Sequence, residues 1–265
     1  MNRIRPHLLT LAALALAWIP ATSIGADGRA PGAISEVGVL SRNVPQSGAE
    51  HAMGTCPPQW APGFHIPSIF GVASLGVFDD GGGPSLYIGG SFDKAWDTWA
   101  RTIVKWNGQT WAPLPETFGP YNPWVDEIPV AKAMVVFDDG NGPGLFVGGC
   151  FATAGDVVAN AIAKWDGQAW SALGQGIELS YSCTWGGWSP VNALAVFDDG
   201  TGPALYAGGN FGFQDGAPAS NIAKWNGTSW SALGAGLDGT VHALVVFDDG
   251  TGAALYCGGE SRTPE

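Results

Sequence analysis

Four pairs of adjacent aspartates, 79/80, 138/139, 198/199 and 248/249, each stand inside a DDGxG stretch. Acidic pairs beside glycines could hold a hard cation such as calcium, which gathers several oxygen ligands. A calcium loop spreads its acids over about a dozen residues, and DDGxG is too short to enclose an ion. The simpler chemistry is local. An aspartate side chain accepts hydrogen bonds from its own turn while glycine supplies the positive φ. The pairs are expected to shape turns and not to bind metal.

Other reactive constellations are equally sparse. Lys105, Lys164 and Lys224 recur just before a tryptophan; repetition at one position points to a structural stem packed on a neighbouring unit. The turn WDGQAW (165–170) is similar to the Asp-box of sialidases, but lacks one residue between Asp and Gly and the preceding Ser. Such a site also needs clustered arginines, and the repeat region has only Arg101. Copper–radical oxidation would need paired His and Tyr ligands. Tyr87, Tyr206 and Tyr256 share one repeat position with Phe146, which marks them as packing residues, and only His65 and His242 follow His51. Neither a Ser-His-Asp set nor a phosphate-binding loop is evident, and Cys56, Cys150, Cys183 and Cys257 show no CxxC or Cys–His spacing. The chain is read as having no catalytic activity, cofactor or metal.

Composition narrows the class. Of 265 residues, 46% are apolar and 13% charged, too apolar for a disordered chain. The 41 glycines follow no three-residue period, so they mark turns and close strand packing, not collagen. Residues 1–26 have a basic start, an apolar run from Leu8 to about Ile19 and small residues before Asp27. This is the pattern of a secretory signal peptide, and Pro20 cuts the run shorter than the roughly 20 residues of a membrane span. Residues 27–55 read as a flexible segment. Export to the cell exterior or envelope permits disulfides among the four cysteines. A formal charge of −12, made more negative by loss of Arg3 and Arg5 with the leader, argues against nucleic acid and anionic lipid as partners.

The elements that position these residues follow from a repeat. VFDDGGGPSLYIGG (77–90), VFDDGNGPGLFVGG (136–149), VFDDGTGPALYAGG (196–209) and VFDDGTGAALYCGG (246–259) are copies of one segment. A second motif, IVKWNGQTW (103–111), IAKWDGQAW (162–170) and IAKWNGTSW (222–230), starts 13 residues after each of the first three GG pairs. A unit of about 50 residues indicates a solenoid, propeller or array. Each unit reads as two hairpins, the inner turning at DDGxG and the outer at Asn-Gly or Asp-Gly. A two-residue turn at Asn226-Gly227 would set Trp230 opposite Ala223. In VNALAVF, Val191, Ala193 and Ala195 are expected on one face, with Leu194 and Val196 on the other. Strands apolar on both faces are covered on both, and without an amphipathic helix the cover must be other sheets. Four-stranded sheets packed between their own kind are propeller blades.

The glycine pair with a tryptophan in each outer strand resembles the kelch repeat. The pattern LYxGGxF…IAKWxGxxWxALGxGL is more closely similar to propeller repeats of fungal cortical polarity-marker proteins and of exported bacterial proteins. The resemblance covers residues 72–259 and departs from the kelch pattern in lacking a Tyr before the outer Trp. It implies an all-β propeller with blades at 72–115, 131–174 and 191–234 and a half-blade at 241–259, within a domain of residues 56–265. CPPQWAPGF (56–64) resembles a fourth strand, so Gln59–Gly63 is expected to complete the half-blade in a small four-bladed ring. The alternative is a fragment of a larger propeller, leaving Leu255–Gly259 as an apolar edge that favours self-association.

Variation between copies marks the candidate site. The insertions 118–129 and 178–190 carry Tyr121, Trp124, Tyr181, Trp185 and Trp188. Five residues before each repeat Phe stand Ala73, Lys132, Asn192 and His242 in an otherwise apolar frame. Lys132, Asn192 and His242 are expected to ring the mouth of the central channel beneath the aromatics. Polar groups under aromatic walls suit a glycan or protein ligand; aromatics folded back as lids, and side chains facing channel water, are the competing readings. Connections 2–3 and 4–1 of a blade emerge on one face, so a Cys150–Cys183 disulfide is expected to pin the second insertion.

Overall fold

Each inner hairpin turns because its first aspartate caps its own loop. Asp79 Oδ1 accepts from the N–H groups of Gly81 and Gly83 at 2.9 Å. Asp198 does so from Gly200 and Gly202 at 2.8 and 3.0 Å, and Asp248 from Gly250 and Gly252 at the same distances. The two glycines that DDGxG fixes in each turn take positive φ, a region most side chains avoid. The expected turn chemistry holds for the first aspartate of each pair.

The computed structural model describes residues 71–260 except 93, 96–97, 116–117, 120–128, 178–189, 215–216 and 219. Every regular element among them is a strand, and among the described residues no helix is long and apolar enough to cross a membrane. Three antiparallel four-stranded sheets follow in chain order. The first runs Val72–Asp79, Pro84–Gly90, Ile103–Trp106, Trp111–Pro113 from inner to outer edge. The second comprises Val130–Asp138, Pro143–Cys150, Ile162–Trp165 and Trp170–Ala172. The third comprises Val191–Asp198, Pro203–Gly209, Ile222–Trp225 and Trp230–Ala232, and the terminal hairpin pairs Val241–Asp248 with Ala253–Gly259. This is an all-β, propeller-like architecture. The proposed closing strand, Gln59–Gly63, lies outside the described residues.

Two registers differ from the sequence expectation. Trp225 pairs directly with Trp230, as Trp106 does with Trp111 and Trp165 with Trp170. The outer loop therefore has four residues, not two. Asn226 Oδ1 accepts from Thr228 N–H and Ser229 N–H at 3.0 and 2.9 Å, and of the two turn residues only Gly227 has positive φ, whereas a two-residue Asn-Gly turn needs both. The paired indole rings lie 4.8, 5.2 and 5.5 Å apart, within favourable aromatic range.

The second difference is in the innermost strand. Val191 pairs with Gly209 and Ala193 with Gly208, leaving Asn192 as an extra residue in a β-bulge. The same shift occurs at Ala73, Lys132 and His242. A bulge moves every earlier side chain to the opposite face. Val191 consequently joins Leu194 and Val196 against Phe137 and Phe146 of the second sheet, instead of sharing a face with Ala193 and Ala195. Ala195 and Phe197 face the other way, against Leu244 and Leu255 of the terminal hairpin.

Successive units thus stack face to face, with the core between sheets. Phe78 and Tyr87 of the first pack with Leu145, Val147 and Trp165 of the second. The glycine pair serves two separate contacts. A Cβ on Gly208 would lie 2.5 Å from Val241 Cγ1, and one on Gly148 would overlap Val191 Cγ1, so the first glycine is a slot for the next unit's valine. A Cβ on Gly149 or Gly209 would overlap the carbonyl oxygen of Val130 or Pro190, so the second admits the backbone of its own partner strand. Thr102, Ala161 and Asn221, one residue before each third strand, all adopt left-handed φ of 72°, 70° and 62°.

Candidate functional site

The second aspartate of each pair has a role unlike that of the first. Asp139 Oδ1 binds Lys164 Nζ at 2.7 Å, and Asp199 Oδ2 binds Lys224 Nζ at 2.7 Å; Asp80 pairs with Lys105. The partners are 25 residues apart in all three units. The recurring lysine is therefore a charge partner within its own sheet. This differs from the expected packing stem on a neighbour. Tyr87 and Tyr206, almost wholly buried, donate their hydroxyls to Asp80 and Asp199 at 2.8 and 3.1 Å. Unit two has Phe146 at this place, and Asp139 Oδ2 instead accepts Trp225 Nε1–H of the next sheet at 3.2 Å. One donor is lost within the sheet and one is gained between sheets.

These clamps hold charge in fixed states. Burial alone would raise the Asp80 and Asp139 pKa values, but hydrogen bonds to Lys105 with Tyr87, and to Lys164 with Trp225, bring them below the ordinary value. Bonds to Lys224 and Thr201 lower Asp199 further still. Burial, then the neighbouring carboxylate, raises Tyr87 and Tyr206. With carboxylates held below their usual range and phenols above theirs, this constellation braces the turn.

At the other end of the inner strands lie the variable bulge residues. Lys132 is partly buried, and desolvation lowers its pKa. Asn192 is buried; its Nδ2 donates to the Val241 carbonyl at 2.9 Å, tying the third sheet to the terminal hairpin, while its Oδ1 is buried with no protein partner. His242 is exposed, with Nε2 3.5 Å from Glu260 Oε1. In the first unit Ser74 Oγ, beside the bulge, donates to the Ala131 carbonyl at 3.0 Å. The structure thus places Lys132, Asn192 and His242 at equivalent points on successive strands. Asn192 faces a neighbouring backbone and not open solvent.

Tyr121, Trp124, Tyr181, Trp185 and Trp188 lie outside the described residues, as does Cys183. The first insertion is anchored at its start: Phe118–Gly119 pairs with Thr153–Ala154, and the Phe118 ring stacks on Phe151 at 4.1 Å. Cys150 is disulfide-bonded and Cys257 is a free thiol. Peptide mapping of the unreduced protein is expected to recover Cys150 joined to Cys183, and reduction to cost about 2–5 kcal/mol of stability. Recovery of Cys150 joined to Cys56 would contradict the pairing.

Among the described residues no group of three or more His, Cys, Asp or Glu side chains could hold a metal ion. Compared with family models, curated proteins and solved structures, the chain matches none.

Proposed function

We propose that the chain is an exported, kelch-like propeller scaffold that binds a glycan or protein ligand through one loop face, without catalysis. The observation that carries this reading is the coincidence of sequence variability with the β-bulges. Lys132, Asn192 and His242 vary in a frame otherwise occupied by repeated apolar residues, and each is the extra residue of its strand. Bulges re-aim side chains and are frequent beside functional sites. The insertions bearing Tyr121, Trp124, Tyr181, Trp185 and Trp188 enter the inner strands at this same end, and binding residues concentrate on loops held by a rigid scaffold. The ionised clamps at the opposite end are braced, with no group poised to move a proton.

A second reading has its own support. The hydrogen bond from Asn192 to Val241 O gives one of the three variable residues a structural task, as a purely structural or interaction repeat protein of the cell envelope would require. The two are separated by screening the protein against glycans, then repeating the screen with Trp124→Ala and Trp188→Ala. Binding that falls at least tenfold in the variants supports the ligand site. No binding by the parent, or binding unchanged in the variants, leaves the structural reading.

A further inference from the structure

We propose that the two outer sheet faces of the stack fit each other, so that the chain assembles head to tail with a second copy of itself. Every joint inside the chain has the same construction. Residues six and three before the repeat Phe project towards the preceding unit, where they meet the first glycine of its pair: Val191 and Leu194 at Gly148, Val241 and Leu244 at Gly208. In the second unit Ala131 and Met134 meet Gly89. The first sheet carries this projecting pair as Val72 and Leu75, the same residue types as in the third sheet and the terminal hairpin. Leu75 is 50% exposed and serves no joint among the described residues.

The matching slot is in the terminal hairpin. A Cβ on Gly258 would meet nothing within 4 Å, unlike its counterparts Gly148 and Gly208. Around it the face is apolar and uncovered: Phe247 is 57% exposed, against 4% for Phe78 and 8% for Phe137 at the same repeat position. Val245 is likewise exposed, where Ala195 is buried. Exposed apolar patches with a defined shape mark interaction surfaces. Among the described residues Leu75 therefore enters no slot and Gly258 receives no side chain, and the two lie on opposite faces of the repeat. A contact between them joins unlike surfaces and propagates head to tail, as a ring or a filament. It continues a joint already formed three times within the molecule, and it stands whether or not the loop face binds a ligand.

The test is the solution mass of the purified chain by sedimentation, with two variants. Gly258→Ile fills the slot, where no neighbouring atom stands in its way and the backbone lies outside the left-handed region. Leu75→Glu places a charge on the projection. The parent is expected to sediment as two or more chains and each variant as one, with unchanged circular dichroism. An equal mixture of the two variants regains a two-chain species, because Leu75 of one meets Gly258 of the other. A parent that stays a single chain at its highest soluble concentration overturns the proposal. So does an assembly that survives both substitutions, or a mixture that remains single chains.

Discussion

Gly209→Ala is expected to destabilise the domain by more than about 3 kcal/mol, the upper end of the cost of overpacking. Its Cβ would overlap the Pro190 carbonyl oxygen, and backbone at a bulge cannot step aside as a side chain can. Gly208→Ala is expected to cost less, about 1–3 kcal/mol, because the obstructing atom 2.5 Å away is a valine methyl. Gly258→Ala provides the control. The same motif position there meets nothing within 4 Å, so the stability of the single chain should be nearly unchanged. Denaturant melts at low protein concentration rank the three. Equal losses at Gly208 and Gly258 would mean that the slot plays no part in stacking.

Asp139→Asn should be the most damaging of the three clamp substitutions. Asp139 and Lys164 are 4% and 7% exposed, so loss of the acid strands a buried ammonium group. Removing one partner of a buried pair costs about 3–5 kcal/mol. The Asp80–Lys105 and Asp199–Lys224 pairs are more open to solvent, and their loss should cost less because water screens the remaining charge. The pH dependence has a definite sign. All three aspartates are held below their ordinary pKa in the folded chain. Their contribution is therefore fully present above the unfolded carboxylate range and is lost as pH falls through the lower folded values. Stability should be flat from neutral pH to about 5 and decline progressively below it, with a shallower decline in Asp199→Asn. An identical acid profile in that variant would contradict the clamp.

The inner turns of the repeated sheets were legible in the sequence because they are encoded locally. DDGxG places an aspartate acceptor two and four residues before the N–H groups it caps, and an inner hairpin turns at each copy of the motif. The faces of the innermost strand were not legible. Strict alternation assigns Val191 to the wrong side, since Asn192 is the extra residue of a bulge that recurs opposite each glycine pair with Ala73, Lys132 or His242 in its place. The outer turn failed for a related reason: Asn226 caps two N–H groups instead of entering the left-handed region. The clamps could have been found. The separation of 25 residues between the second aspartate and the lysine is constant in every complete unit, and the exchange of Tyr for Phe146 coincides with the new donor from Trp225. Of the candidate site, only the polar positions could be followed into the structure, where their variability has a cause. A bulged residue leaves the ladder pairing that its neighbours keep.

Successive sheets lock together by apolar side chains of one entering a glycine slot of the other, a valine at two joints and Met134 with Ala131 at the first. A double-mutant cycle between Gly208 and Val241 tests it most directly. Gly208→Ala introduces a methyl against Val241 Cγ1 at 2.5 Å, and Val241→Ala removes that atom. The double variant is expected to be more stable than the sum of the single losses, by a coupling of about 0.5–3 kcal/mol. Additive losses would show that the two residues do not meet, and would contradict the stacking.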